Sequence, residues 1–419
     1  MYVAPFIEGV MTTSVVVFSE EYVKITKGMF VVWTNHVFEA SKRCHVDLLL
    51  NGEHWAFEEA REMFHGNTQV AIAKLPFCMP STLLKRAFGP SNSVWVVRVV
   101  RYVLGQLLNI AVSPCIILYI ALRLRQIRPQ AVISHNGGWP AGQLCRWVIL
   151  SAMLARVPRR ILIIHNYPEK WQRAFAAVTV PWRFLQARLM EKCATAIVTV
   201  SDSVKSTLEA DVFRSPVLRI HNGIQLSSSQ LASRRSNPVL AWHPSGLVVG
   251  FVGALFPLKG PHVLLDAFRL VEVPCELALL GPAEERYLQF LRQKAQFCRN
   301  RVSFLGFHQD VDSFMQKIDL LVVPSIAFES FGMVILEAMK HRRAVVCSDF
   351  GGMKEVVENG VTGLVVPAGD AVALSGAMTQ LLADANLRRK MGDAGYRRLK
   401  ELFTSEKMAA QYDELVFGH

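Results

Sequence analysis

Short runs of β-branched and other apolar residues recur along this chain with helical stretches between them, and they fall into two series. Ser14–Phe18, Val46–Leu50, Val94–Val97, Ala131–Ser134, Ile161–Ile164 and Ala196–Val200 form the first. Val248–Val252, Leu277–Leu280, Val302–Leu305, Leu320–Val323, Ala344–Cys347 and Leu364–Val366 form the second. Most of these runs are apolar throughout instead of alternating, as expected of strands buried on both faces in a parallel sheet. Strands alternating with helices define doubly wound α/β units. At 419 residues the chain exceeds one ordinary core. We therefore expect two Rossmann-like domains, 1–224 and 247–400, joined by a Ser- and Pro-containing linker over 225–246. A C-terminal helix over 401–419 is expected to cross back to the first domain.

The charge is divided along the same boundary. The chain carries a net +12, yet residues 1–224 hold 25 basic and 14 acidic groups (+11) while 225–419 hold 21 and 20 (+1). No acidic residue occurs from 63 to 168, a stretch with 12 Lys and Arg. Such a surface suits nucleic acid, an anionic membrane or a phosphorylated ligand. No recognised nucleic-acid motif accompanies it, so nucleic acid is not expected as a partner. With 51% apolar and 19% charged residues, disorder is excluded. The eight cysteines have neither CxxC nor Cys/His ligand spacing and read as small buried hydrophobes in a reducing compartment. The first 21 residues lack a basic group before their apolar part and make a poor signal peptide. Tyr102–Leu122 contains 21 uncharged residues, long enough to span a bilayer. Gln106, Asn109 and Pro114 interrupt it, arginines flank it on both sides, and α/β units continue before and after, so a buried or membrane-surface helix is expected.

The segment Pro324–Met339, PSIAFESFGMVILEAM, carries the most chemistry. A strand ends at Pro324, Glu329 lies in the loop, and Ser330 is placed to cap a helix starting near Phe331. The amides of Phe331, Gly332 and Met333 would then form an anion site at the carboxyl ends of the strands. Glu329 and Glu337 would reach hydroxyl donors on either side of it. Asp310 or Asp312 of Asp310-Val-Asp312 is expected to cap a helix, and no metal is expected.

Glu329 to Glu337 resembles the E-x7-E motif of retaining GT-B glycosyltransferases. Together with Ala344–Glu355 and Gly360–Gly363, and with Val252–Gly260, Leu280-Gly281 and Phe304–Gly306 upstream, the chain resembles family 4, the glycosyl transferases group 1. The resemblance implies a GT-B fold, two Rossmann-like domains facing each other across a cleft. It also implies a nucleoside-diphosphate sugar as substrate and no cofactor. Glu329 would hold the donor sugar, Gly253, Gly281, Gly332 and Met333 would line the donor site, Glu337 would hold the ribose, and Lys259 would neutralise the leaving phosphate. Two departures stand out. Ala254 occupies a position where the family usually has Arg, which opens a noncatalytic nucleotide- or sugar-binding protein as an alternative. His341-Arg342-Arg343 replaces a turn glycine and reads as surface variation.

In the first domain, Ser134–Gly142 (SHNGGWPAG) follows a strand, and His135 resembles the family's active-site His, which contacts the donor sugar. Asn136, Gly137 and, in the first βα loop, Gly28 are candidates for the acceptor side. His165 closes the next strand, either lining the crevice or packing behind it. Pro168–Phe175 and Trp182–Arg188 interleave basic and aromatic groups, which suits an anionic bilayer or a core helix with snorkelling arginines. The expected function is retaining, metal-independent transfer of a hexosyl or related sugar to a glycan or lipid-linked acceptor in surface polysaccharide biosynthesis. The protein is expected to be cytoplasmic, with peripheral contact to the inner face of the membrane.

Overall fold

The structure, a computed structural model, describes residues 14–19, 27–50, 57–76, 95–139, 142–166, 176–226, 242–308 and 310–418. Two sheets, parallel throughout, organise it. The first contains β1 (Ser14–Ser19), β2 (His45–Leu50), β3 (Val70–Lys74), β4 (Ala131–Asn136), β5 (Arg159–Ile164), β6 (Ala196–Thr199) and β7 (Leu218–Arg219), in the order β3-β2-β1-β4-β5-β6-β7. The second contains β8 (Val248–Val252), β9 (Glu276–Leu280), β10 (Arg301–Gly306), β11 (Leu320–Val323), β12 (Ala344–Ser348) and β13 (Gly363–Val366), in the order β10-β9-β8-β11-β12-β13.

Helices α1 (Lys27–Ser41), α2 (Phe57–Met63), α3 (Trp95–Ile127), α4 (Gln143–Leu154), α5 (Ala176–Cys193) and α6 (Asp202–Asp211) connect the first sheet. Around the second run α7 (Pro261–Phe268), α8 (Glu285–Ala295), α9 (Val311–Lys317), α10 (Met333–Lys340), α11 (Met353–Val356), α12 (Ala371–Ala383) and α13 (Ala385–Leu402); α14 (Ser405–Phe417) follows. The two-residue side-chain period decides which face each strand residue buries. Val15 and Val17 pack with Trp33 and Val37 of α1, whereas Val16 and Phe18 pack with Ile116, Ile120 and Leu124 of α3. Across the second sheet, Val248 and Leu321 belong to one core, and Val249, Phe251 and Val322 to the other.

Three local expectations are corrected. Val94 lies outside the described residues, and Trp95 onward is helix, not strand. No Gly or Pro separates Val97 from Tyr102, so the β-branched run simply continues into α3, and tertiary packing overrides the strand propensity. The edge strand β3 is Ala-rich and half-exposed, which hid it. His341-Arg342-Arg343 is not surface variation. Arg342 itself adopts the left-handed turn (φ 54°), its guanidinium meets Asp393 at 2.6 Å, and Arg343 donates to the carbonyls of Met315 and Gln316. Cys115 is also exposed, on α3, in contrast to the buried Cys44, Cys145, Cys193 and Cys347.

The chain crosses between the sheets twice at one seam. Ile224 donates its amide to the Phe403 carbonyl and accepts from the Ser405 amide, both at 3.0 Å. Beyond this point α14 buries Met408, Tyr412 and Val416 against the α1 side of the first sheet. Helix α13 runs to Leu402, so the returning helix starts at Ser405 and not at 401. Contacts between the domains join residues just past β5 and β6 to residues just past β11 and β12: Asn166 with Ser330, and Asp202 and Ser203 with Glu355. The carboxyl ends of the two sheets therefore face each other.

A Cβ on Gly223 would lie 2.3 Å from the Thr404 carbonyl oxygen, which belongs to the other crossing strand. Gly223→Ala must push the seam apart, an overpacking cost of about 1–3 kcal/mol. We expect the thermal unfolding midpoint to fall by several degrees; an unchanged midpoint would mean that the two crossings are not locked together.

Candidate active site between the sheets

The loop after β11 is held by its neighbours' backbones. Ile326 donates to the Leu258 carbonyl at 3.0 Å, which sets this loop against the 3₁₀ turn Pro257–Lys259. Gly352 donates to the Glu329 carbonyl at 2.8 Å. Gly351, at φ 78°, approaches so closely that a Cβ there would sit 2.1 Å from the same oxygen. This fixes the Glu329 main chain and leaves its carboxylate to pair with the Lys259 ammonium.

Helix α10 begins two residues later than expected. Gly332, at φ 89°, is the N-cap, and the helix starts at Met333. Ser330 is not the cap: its hydroxyl donates to Asn166 Oδ1 at 2.8 Å, across to the first domain. Phe331 is outside the helix, with its ring 2% exposed and packed near His221 and Phe403. The first-turn amides of Met333 and Val334, which have no carbonyl a turn earlier to accept them, replace those of Phe331 and Gly332 as the helix-end donors. Glu337 is a half-buried residue further along the same helix. Gly253 and Gly281 end β8 and β9 side by side, with Gly253 donating to the Leu280 carbonyl at 3.0 Å. Ala254 sits in the turn after Gly253 and accepts from the Phe256 amide, so no guanidinium comes from that position.

Opposite this loop, His135 and Asn136 are the last two residues of β4, both buried. Asn136 Oδ1 accepts from the Gly138 amide at 3.0 Å, while its Nδ2 is buried without a partner among the described residues. Gly137 is exposed in the bend between them. His135 Nδ1 lies 3.0 Å from Nε2 of His165, which therefore packs behind it. Gly28 is the second residue of α1 rather than a loop residue. Of the basic and aromatic segment, Pro168–Phe175 falls outside the described residues, and Phe184 of α5 is exposed.

Sequence reasoning missed His36. This residue of α1 places Nδ1 3.3 Å from His135 Nε2 and stacks on Tyr412 of α14, with ring centroids 4.4 Å apart. Both nitrogens of His135 thus face histidine nitrogens. A neutral imidazole has one donor and one acceptor, so both contacts can be hydrogen bonds only if all three rings share one direction of donation. Burial pushes His36 and His165 down to about 4 and His135 well below its usual range, the last also through its His165 and His36 neighbours. His135 is consequently a neutral hydrogen-bonding group at physiological pH.

The domains are also tied by charge. Glu355, in α11, accepts from the amides of Asp202 and Ser203 at 2.8 Å, the N-terminal end of α6, and lies 3.4 Å from His221 Nε2. Burial raises its pKa, but the His221 bond and the two amides outweigh this and leave it lowered. Asp310 caps α9 by accepting from the Ser313 amide, and Asp312 bonds His341 Nε2 at 2.6 Å. Both carboxylates of the Asp-x-Asp sequence thus have structural partners.

Two facing parallel sheets, with the amino end of α10 and a Lys259–Glu329 pair between them, have the architecture of a GT-B glycosyltransferase. Residues 28–228 match the family model Glycosyltransferase Family 4, and residues 234–398 match Glycosyl transferases group 1. The chain belongs to this family of glycosyltransferases. It is 34% identical to the phosphatidyl-myo-inositol mannosyltransferase of Mycobacterium leprae over 206 residues, 47% of this chain and 52% of that one. It is 26% identical to the O-antigen chain mannosyltransferase C of Escherichia coli over 320 residues, 74% of this chain and 81% of that one. The match thus spans only about half the length of the mannosyltransferase from M. leprae. In fold it is similar to Anabaena HepE in complex with UDP, with a TM-score of 0.69 at 20% identity, covering 97% of this chain and 100% of that one.

The histidine chain has a measurable consequence. Each ring titrates lower in the folded state than in the unfolded chain, so between pH 6.5 and about 4 the unfolded chain binds more protons. Their contribution to stability is complete above pH 6.5 and is lost as pH falls through this window. The midpoint should drop across it in the wild type and drop less in His36→Asn, which keeps a polar atom near the Nδ1 position but cannot protonate; equal slopes would contradict the buried neutral assignment.

Proposed function

We propose that this protein transfers a sugar from a nucleoside-diphosphate sugar to a lipid-linked or membrane-associated acceptor, with retention of anomeric configuration and without a metal. The observation that carries the reading is the Lys259–Glu329 pair beside the amino end of α10. In the free protein these two groups satisfy each other. A bound donor would replace both halves of that contact: sugar hydroxyls would donate to Glu329, and the β-phosphate would accept from Lys259.

The diphosphate would lie on the Met333 and Val334 amides, with the ribose at Glu337. Neutral His135, buried at the end of β4 on the opposite domain, would meet a sugar hydroxyl by exchanging one of its two histidine contacts for it. In the transfer step the bond from the anomeric carbon to the β-phosphate oxygen breaks, and the acceptor oxygen bonds to the same face. The acceptor proton passes to the leaving phosphate oxygen, so no protein carboxylate need act as a nucleophile. Lys259 stabilises the charge that develops on that phosphate. HepE was solved with UDP and with UDP-glucose, which makes uridine nucleotides the first donors to test. The M. leprae and E. coli relatives, by their names, support a lipid or surface-glycan acceptor; transfer at the cytoplasmic face of the membrane is part of the same proposal.

A thermal-shift panel of UDP-, GDP- and ADP-sugars should single out one donor that raises the midpoint, since a ligand bound only by the folded state stabilises it. With that donor, Glu329→Gln and Lys259→Met should each fold normally and lose about 100-fold or more in transfer. Unchanged turnover in Glu329→Gln would refute the site. Donor binding by the wild type with no transfer to any acceptor would favour the noncatalytic alternative raised by Ala254.

A further inference from the structure

Among the described residues, nothing covers one face of helix α3. Leu104, Leu107, Leu108, Leu118 and Leu122 are all exposed, Leu107 and Leu118 each at 59%. Their spacing of 3, 4, 14 and 18 residues from Leu104 puts them on one helical stripe, with exposed Ala111 and Cys115 between them. At 1.5 Å per residue the stripe is about 27 Å long. A contiguous apolar patch of this extent marks an interaction surface.

The opposite face fixes α3 to the domain. Ile116, Ile120 and Leu124 are buried beneath it, Asn109 Nδ2 donates to Gln143 Oε1 at 3.0 Å, and Ser151 of α4 donates to the Ile117 carbonyl at 3.0 Å. These contacts also set the direction of the stripe. Gln143 opens α4 just after the loop that follows His135, so the Leu104–Leu108 end of the stripe lies at the cleft end of the domain. At its other end Arg123, Arg125, Arg128 and Arg156 are all exposed, and Arg125 bonds the Leu154 carbonyl at 3.0 Å. Neither α3 nor α4 contains an acidic residue.

We propose that this stripe seats the protein on an anionic lipid bilayer, with α3 lying in the interface and the arginines meeting phosphate headgroups. The mixture of apolar and cationic surface decides the occupant. In a two-fold pairing across this stripe the helices run antiparallel, so each arginine cluster would lie over the apolar Leu104–Leu108 end of the other copy, with no acid on these helices to meet it. A spanning helix would have to extract Ile116, Ile120 and Leu124 from the core and strand β4 from its sheet. The inference extends the proposed function by naming the surface through which a lipid-linked acceptor would arrive, with its sugar-accepting end directed to the cleft. It does not depend on which donor is used.

The test is vesicle co-sedimentation of the full chain without nucleotide sugar, so that its outcome is separate from that of the donor site. Vesicles containing 30% phosphatidylglycerol should retain the protein at least fivefold better than pure phosphatidylcholine. The variant Leu107→Glu/Leu118→Glu should reduce retention about tenfold, with its thermal midpoint unchanged because both side chains are outside the core. Arg123→Gln/Arg125→Gln should weaken retention on the anionic vesicles alone. Equal retention on both lipids, or retention unaffected by the leucine variant, overturns the proposal. So does a dimer in light scattering that the leucine variant dissolves while vesicles retain nothing, since the face would then be a contact between copies. Resistance to an alkaline carbonate wash overturns the interfacial placement in favour of a crossing.

Discussion

The double crossing at Ile224 and Thr404 is the constraint on which the rest of the structure depends. Parallel sheets collect their functional loops at one edge, and two such sheets can share a site only if those edges face each other. Here the outgoing and returning strands are hydrogen-bonded to one another, and α14 then packs into the first core. The seam thus limits how the domains can sit. Glu355 at the end of α6 and Ser330 on Asn166 add polar contacts across the cleft. Such contacts between folded surfaces are weaker than a hydrophobic core, which suits a cleft that must admit a ligand and close over it.

Within that frame the site is preorganised on the second domain and backed on the first. Backbone bonds, rather than side chains, place Glu329, so its carboxylate is free to exchange Lys259 for a ligand without moving the loop. On the facing side His135 is held by two other histidines and so cannot rotate freely. The ring that stacks on His36 comes from α14, the helix that returns through the seam. The element that closes the chain over the first domain therefore also supports the residue in its cleft.

Most strand positions, the two-domain division and the loop bearing Glu329 could be read from the sequence, because buried parallel strands and a strand–loop–helix junction leave local signals. What escaped depended on contacts distant in the chain. His36 lies in an apolar helix with no local mark of function, and only the fold brings it to His135, 99 residues away. Ser330 carries the residue type of an N-cap, yet a partner in the other domain and the left-handed Gly332 move the helix start past it. Val94–Val97 has strand composition, but its continuation into α3 decides its state. Arg342 at positive φ is a conformation that sequence disfavours and that packing imposes.

The central claim is that the donor lies on the amino end of α10, between Lys259 and Glu329. Amide hydrogen exchange with and without a saturating nucleotide sugar tests it most directly, because exchange reports on individual segments. The account predicts slower exchange over residues 329–337 and 257–260 when the donor is bound. Slowing confined to the first domain around residues 135–145, with 329–337 unaffected, would contradict it.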